Sequence, residues 1–259
     1  MAATSIHRGP SAARVLSART GQVFAGAPVG ILLLAEVDCP FIPGSVSNAS
    51  TWSVPVRYKL VPGLTEHRLF GPAPSDATPA VVQAAIELAR EGAQLISANC
   101  GFTIHFQQAV RAAVDVPVLL SSLLLAPFLE QLLPRRKKLG IMTGDAAYFT
   151  PELWAAAGMS SSSDRYIVGN IDNAPAWAAL WQYPGRIDVA AVESEIVCAA
   201  VNLVSAHPDI GAILLECSEL PPYAAAVQRA TGLPVFDFTS MVEFFADGLT
   251  RKPFDGLGH

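Results

Sequence analysis

Two stretches of this chain repeat one another around a cysteine. Cys100 closes the apolar segment 93–98 and Cys217 closes the segment 212–215, and each is followed at the same distance by a Pro-Val pair, Pro117-Val118 and Pro234-Val235. At that offset Ala109-Val110 falls on Ala226-Val227, and Ala113 on Ala230. A duplication of this kind demands two lobes built alike, each with a thiol at the same place. It places two sulfurs on opposite sides of a cleft.

The elements around the repeat alternate. Residues 29–35 (VGILLLA) are an all-apolar run of the kind buried on both faces of a parallel sheet, followed by a Pro/Gly/Ser-rich loop over 40–55. Residues 79–91 read as a helix with Thr78 as N-cap, Pro79 in the first turn and Gly92 at its end. A strand (93–98), a turn at Cys100-Gly101, a helix (103–113) and a strand (116–120) follow. The second half repeats the order: strand 139–143, helix 150–157, strand 166–168, a long helix 188–206, strand 212–215, helix 222–230 and strand 234–238. Alternation of this sort predicts an α/β fold with mostly parallel sheets, whose ligands lie beyond the carboxyl ends of the strands. Both Cys100 and Cys217 stand at such ends.

Composition removes several functions. With 51% hydrophobic and 15% charged residues, the chain is built for a large buried core, and surface is lost to a subunit partner in the same reading. A net charge of −5 leaves no basic excess for nucleic acid. The single cationic cluster, Arg135-Arg136-Lys137-Lys138, reads as a solvated loop between a helix and a strand. The most apolar stretch, 116–129, is broken by Pro117, Ser121, Ser122 and Pro127, so no membrane span is expected. Four cysteines without C-x-x-C spacing read as free thiols of a reducing, cytoplasmic compartment and not as a metal site. Residues 1–22 contain Arg8, Arg14 and Arg19 and no acid, which fits a flexible extension, with an organelle-targeting segment as the alternative.

A cysteine at a strand end beside a helix N-terminus gains from the backbone N–H groups and the helix dipole, which favour the thiolate. Cys198 falls in the long helix and reads as packing, whereas Cys39 stands at the start of the first loop, where the mouth of a cleft would lie. His105 is either a helper base or a surface histidine. No G-x-G-x-x-G follows a strand, and neither a phosphate loop nor a G-x-S-x-G nucleophile elbow is present. Lys59, Lys137, Lys138 and Lys252 are not set for a Schiff base, so pyridoxal phosphate is not expected.

The texts SANCGF and LLECSELPPY around the two cysteines, with PFIPGSVSNASTWSVPVRYKLV in the first loop, resemble the aspartate/glutamate/hydantoin racemase superfamily from about Gln22 to about residue 248. The resemblance implies two Rossmann-like lobes related by a pseudo-twofold axis, with the active site between them. On that pattern the first lobe takes 23–120 and 237–259 and the second takes 121–236. It also implies cofactor-independent proton transfer at the α-carbon of a small-molecule carboxylate, with Cys100 and Cys217 as thiolate base and thiol acid, in a dimer or larger homo-oligomer. Candidate carboxylate-binding positions are Asn48, Ser50 and Thr51 in the first loop, Asn99, Gly101 and Phe102 at the first cysteine, Ser121 and Ser122 after the next strand, and Ser218 and Glu219 at the second cysteine. Turn capping explains Asn48 and the serines equally well.

The chain departs from the racemase pattern in two places. Asp38-Cys39-Pro40-Phe41-Ile42-Pro43-Gly44-Ser45 carries no basic residue where those enzymes often have a cationic clamp, and Ser218-Glu219 replaces Thr followed by Asn or His. The extra carboxylate suits a less acidic or cationic substrate. An amino-acid racemase or epimerase is the first expectation. A lyase of the dimethylsulfoniopropionate type, using the same thiols for α-proton abstraction and β-elimination, is the alternative. A maleate-isomerase-like enzyme and a non-catalytic binding protein complete the set, and a one-cysteine arylmalonate decarboxylase is disfavoured.

Overall fold

The apolar run Val29–Leu33 (β1) is the centre of the first lobe in the computed structural model, which describes residues 22, 25–71, 73–171, 174–182 and 184–251. It pairs in parallel with β2 (Val56–Leu60) on one side and β3 (Leu95–Ala98) on the other, and β3 carries β4 (Val118–Leu119), giving the order β2-β1-β3-β4. The second lobe contains β5 (Lys138–Thr143), β6 (Tyr166–Asn170), β7 (Ile210–Leu215) and β8 (Val235–Phe236) in the matching order β6-β5-β7-β8, again all parallel. The predicted α/β class and the duplication are both present. Cys100 and Cys217 each stand two positions beyond the equivalent strand, β3 and β7.

The helices are α1 (Glu66–Leu69), α2 (Thr78–Glu91), α3 (Gln107–Ala113), α4 (Ala126–Leu132), α5 (Pro151–Ala156), α6 (Pro175–Ala179), α7 (Val189–Ala206), α8 (Ala224–Thr231) and α9 (Phe238–Leu249). Thr78 proves to be the first residue of α2 and not its cap, while Gly92 ends that helix with φ of 115° and donates its N–H back to the last turn. Asp188 caps α7 through the Ala191 N–H, and Asp237 with Ser240 forms a capping box on α9. Phe238, Met241 and Val242 of α9 are buried with Val29, Ile31 and Leu95, so the last helix leaves the second sheet and packs on the first.

Four expectations need correction. The segment VRYKL, left in the first loop, is the edge strand β2; its charged side chains hid it, and they are taken up by α2, with Arg57 against Glu91 at 2.7 Å and Lys59 between Glu87 and Glu91. The segment after Cys100 is a 3-10 turn over 101–106 before the seven-residue α3, so no long α-helix starts at the first cysteine. Cys198 is exposed: the buried stripe of α7 runs through Val192, Ile196 and Ala200, and residue 198 faces the other way. Lys138 of the basic cluster begins β5 and pairs with Asp209 at 3.0 Å.

Among the described residues α7 alone is long and apolar enough to cross a bilayer by length and composition. Its buried stripe belongs to the second lobe's core, and its Glu195 accepts hydrogen bonds from the Ala176 and Trp177 amides at the start of α6. Residues 1–21 of the expected extension 1–22, its three arginines included, lie outside the described residues.

Candidate active site

In a sheet of order β2-β1-β3-β4 the chain changes direction between β1 and β3, and in the second sheet between β5 and β7. Loops diverge at such points and leave a crevice beyond the carboxyl ends of the strands. Here the two crevices meet in one cavity of about 790 Å³, lined from the first lobe by Leu34, Asn99, Cys100 and Gly101 and from the second by Gly144, Asp145, Glu216 and Cys217. The repeated cysteines therefore share one cavity. Its size is that of a site for a small molecule.

The rest of the lining combines aliphatic residues such as Val37 and Ile171 with aromatic and acidic ones. Phe70 and Phe102 of the first lobe meet Tyr148 of the second, with ring centroids 4.6 to 5.6 Å apart, so the rings bridge the lobes. Phe41 and the edge-to-face pair Trp177 and Trp181 complete this wall. Glu66, Asp145, Glu216 and Glu219 also line the cavity, and no Lys, Arg or His does so among the described residues. Aromatic faces with carboxylates and no counter-cation make an environment for a positive charge.

That environment governs the thiols. Burial, then the Glu216 carboxylate, drives the Cys100 thiol well above its ordinary range, although the Phe102 and Thr103 amides pull the other way. Cys217 is raised by burial first and by Glu216 next, opposed by the Glu219 amide, and Cys100 itself adds to the effect. The expected activation by a helix dipole fails because only local turn amides reach the sulfurs, and they lose to burial and to negative charge. The carboxyls respond in the same sense: burial lifts Glu216 to about 7 against a hydrogen bond from Thr143, and Glu219 to about 7 against the hydroxyls of Ser45 and Ser218. Burial also raises Glu66.

Several residues chosen from sequence hold the frame of the site and do not line it. Asn48 caps a short turn through the Ser50 amide and donates to the Phe41 carbonyl, Ser50 is exposed on that turn, and Thr51 accepts from the Gly44 amide and donates to the Ser45 carbonyl. Ser121 caps the turn after β4 through the Leu123 amide, and Ser122 donates to the Leu215 and Glu216 carbonyls, tying that turn to the end of β7. Asn99, Gly101, Phe102, Ser218 and Glu219 do line the cavity. Asn99 accepts from the Leu34 amide and donates one N–H to Ser47 Oγ, and Ser218 donates to the Asn99 carbonyl at 2.6 Å.

His105 stands apart from the lining and is half-buried, with burial lowering its pKa. Cys39 is buried in the second lobe's cluster, its thiol pushed up to about 12 by burial and Glu219, and lines an 80 Å³ pocket that shares Val37, Glu66 and Trp181 with the main cavity. Lys59 is paired with Glu87 and Glu91, Lys137 with the Pro208 and Ile210 carbonyls and Lys138 with Asp209, while Lys252 lies outside the described residues. Glu216 was legible inside LLECSELPPY but carried no signal of its own. Glu66 on α1 and Phe70 at its end, Tyr148 after β5 and Trp177 on α6 come from parts of the chain that only the fold brings together.

The family model described as AroM protein matches residues 66–133. A dimethylsulfoniopropionate lyase of Durusdinium sp. clade D is 31% identical over 83% of this chain and 73% of its own length. A second protein of that name, from Emiliania huxleyi, is 30% identical over 89% of this chain and 70% of its own. Among solved structures, the allantoin racemase from Klebsiella pneumoniae has the same fold with a TM-score of 0.60 at 13% identity, covering 88% of this chain and 91% of that one. Unliganded arylmalonate decarboxylase gives 0.55 at 18% identity over 90% and 98% of the two chains. An aspartate racemase homologue from Pyrococcus horikoshii gives 0.52 at 17% identity over 85% and 97%.

Proposed function

Since this chain belongs to the family of the dimethylsulfoniopropionate lyases and shares its fold with racemases, we propose that it is a lyase: it removes the α-proton of a small carboxylate bearing a β-cation and expels the cationic group. Dimethylsulfoniopropionate is the substrate of this class to which the names of its curated relatives point. The observation that carries the reading is the wall of the cavity, where two cysteines stand among aromatic rings and four carboxyl groups with no cationic side chain among the described lining residues. A glutamate-like dianion would find no cationic side chain to pair its second carboxylate among the described lining residues, whereas a sulfonium is drawn to the π-faces and the carboxylates.

The substrate's charge also answers the problem of the thiols. Burial and Glu216 hold both sulfurs protonated in the empty site. A sulfonium in the cavity adds the opposite charge, lowers the thiol pKa and makes the base only when something is present to react. The thiolate then takes the α-proton: the C–H bond breaks, an S–H bond forms, and the electron pair stays on the α-carbon. That pair forms the α–β double bond as the β-carbon–sulfur bond breaks. The products are acrylate and dimethyl sulfide, which leaves neutral and needs no acid. The thiol gives its own proton to solvent when the substrate's charge makes it the base, and the α-proton then restores the resting thiol, so one proton is released per turnover and no oxidant or reductant is needed.

The presence of both cysteines in one cavity favours a second reading, racemisation between two thiols, because elimination needs only one base. Headspace analysis of the purified protein with dimethylsulfoniopropionate separates them. Dimethyl sulfide release, falling about 10²-fold or more in Cys100→Ser or Cys217→Ser, supports the lyase. No release, together with solvent deuterium entering the α-position of an amino acid, overturns it in favour of the racemase.

A further inference from the structure

The two lobes treat the residue before each cysteine differently. Asn99 and Glu216 occupy equivalent positions of the repeat, and each anchors the end of the neighbouring central strand. Asn99 Oδ1 accepts from the amide of Leu34 just past β1, and Glu216 Oε2 accepts from Thr143 Oγ1 at the end of β5, at 2.9 Å. One N–H of the Asn99 amide goes to Ser47 Oγ at 3.0 Å. The remaining oxygen of Glu216, Oε1, is buried and has no hydrogen-bond partner. A buried polar atom left in that state costs free energy unless a ligand or a proton completes it. Room for it is made deliberately: Oε1 occupies the space over Gly101, 1.7 Å from where a Cβ on that residue would be.

A substrate whose α-carbon is attacked from a cysteine must carry its carboxylate close to the same place, one bond away. Of the nearby donors named from sequence, Ser218 is committed to the Asn99 carbonyl and Ser122 to the Leu215 carbonyl, while Asn99 gives one N–H to Ser47 and keeps the other. The Phe102, Thr103 and Glu219 amides are turned on the sulfurs. Other donors, the Tyr148 hydroxyl and the indoles of Trp177 and Trp181, belong to the aromatic wall. We propose that Glu216 binds the substrate as a neutral carboxylic acid, donating a hydrogen bond from Oε1 to the substrate carboxylate beside the reacting carbon while Thr143 holds Oε2. The inference rests on the reading of the cavity as a site for a carboxylate with a distal cation. Glu216 then serves as a specificity-determining group, and as charge builds on the carboxylate during proton abstraction its hydrogen bond strengthens.

The titratable groups that share the cavity with Glu216 are Cys100 after β3, Cys217 and Glu219 after β7, Asp145 and Tyr148 after β5, and Glu66 on α1. A donor that must be protonated is lost as pH rises through its pKa of about 7. Glu219 and Glu66 bind a cation better in the same direction. The experiment therefore compares two probes by calorimetry, 3-(trimethylammonio)propanoate and propyltrimethylammonium, which share the cation and differ in the carboxylate. In the wild type the preference for the carboxylate-bearing probe should fall about tenfold between about pH 6 and about pH 8. Glu216→Gln, whose oxygen takes the Thr143 bond and whose NH₂ replaces the acid O–H, should keep that preference at both pH values, and Glu219→Gln should retain the wild-type fall.

A flat wild-type profile, or the same fall in Glu216→Gln, overturns the proposal while the lyase reading stands. Failure of the wild type to bind either probe overturns the reading of the cavity and this inference with it. Should Glu216→Gln not fold, infrared difference spectra of the wild type decide: a buried carboxyl C=O band that shifts with the zwitterion and not with propyltrimethylammonium supports the proposal, and no such band overturns it.

Discussion

Gly101 stands between the two halves of the site, next in sequence to Cys100 and against the carboxyl group that precedes Cys217. An added Cβ would lie 1.7 Å from Glu216 Oε1 and 2.7 Å from the Glu216 carbonyl oxygen, so both side chain and backbone of the second lobe would have to move. Gly101→Ala should cost about 1–3 kcal/mol, the range for forcing atoms into a packed interior, measured by denaturant unfolding. In Gly101→Ala/Glu216→Ala part of that loss should return, because one of the two clashes is gone; strict additivity of the two single changes would show that the pair is uncoupled. The site is also where the sequence was least explicit. The duplication pointed to both cysteines because spacing survives in one dimension. Glu216 did not stand out because a carboxylate is ordinary in sequence and unusual only once it is buried with an oxygen unpaired. Asn48, Thr51, Ser121 and Ser122 have the chemistry of ligand-binding groups and spend it on turns and strand ends.

At the level of elements, most strands were legible because strands buried on both faces are nearly continuous apolar runs, as in β1 and β7, with Ser97 the polar residue of β3. The edge strand β2 escaped because its Arg57 and Lys59 are satisfied by Glu87 and Glu91 on α2, a pairing distant in sequence. Periodicity likewise misplaced Cys198, since α7 is apolar on most of its circumference and its sequence alone does not say which stripe is buried. The last helix offers the sharper test. Asp237 directly follows β8 of the second sheet, and its carboxylate accepts from the Ser240 and Thr239 side chains and the Ser240 amide to start α9, which then packs Phe238, Met241 and Val242 on the first sheet. Asp237→Ala should lower stability by about 1 kcal/mol through the lost cap, and Phe238→Ala by about 3–5 kcal/mol through the cavity left between α9 and β1. Equal effects from both, read from unfolding midpoints at unchanged m-value, would mean that α9 contributes to stability through its start and not through its packing.

For the molecule as a whole, the fold brings two strand-end crevices together and in doing so traps carboxyl groups that an unfolded chain would leave in water. Glu216 and Glu219, both raised to about 7 by burial, bind protons in the folded state that the unfolded chain has already released at the same pH. A carboxyl raised in this way stabilises the fold fully below its unfolded value of about 4.3 and progressively less as pH rises toward its folded value, after which the loss levels off. Stability should therefore fall between about pH 5 and about pH 7.5, opposite in sign to a protein whose carboxylates are held by cations, and the lyase reading gives that fall a purpose: a cationic ligand restores what the ionised carboxyls take away. Thermal unfolding across this range checks it. The unfolding temperature of the free protein should decline with rising pH, Glu216→Gln and Glu219→Gln should each flatten part of the decline, and propyltrimethylammonium should raise the temperature more at the upper end than at the lower. A profile that rises with pH, or a ligand effect larger in acid, would mean that these carboxyls are not held neutral by the fold, and that the cavity's affinity for cations has another origin.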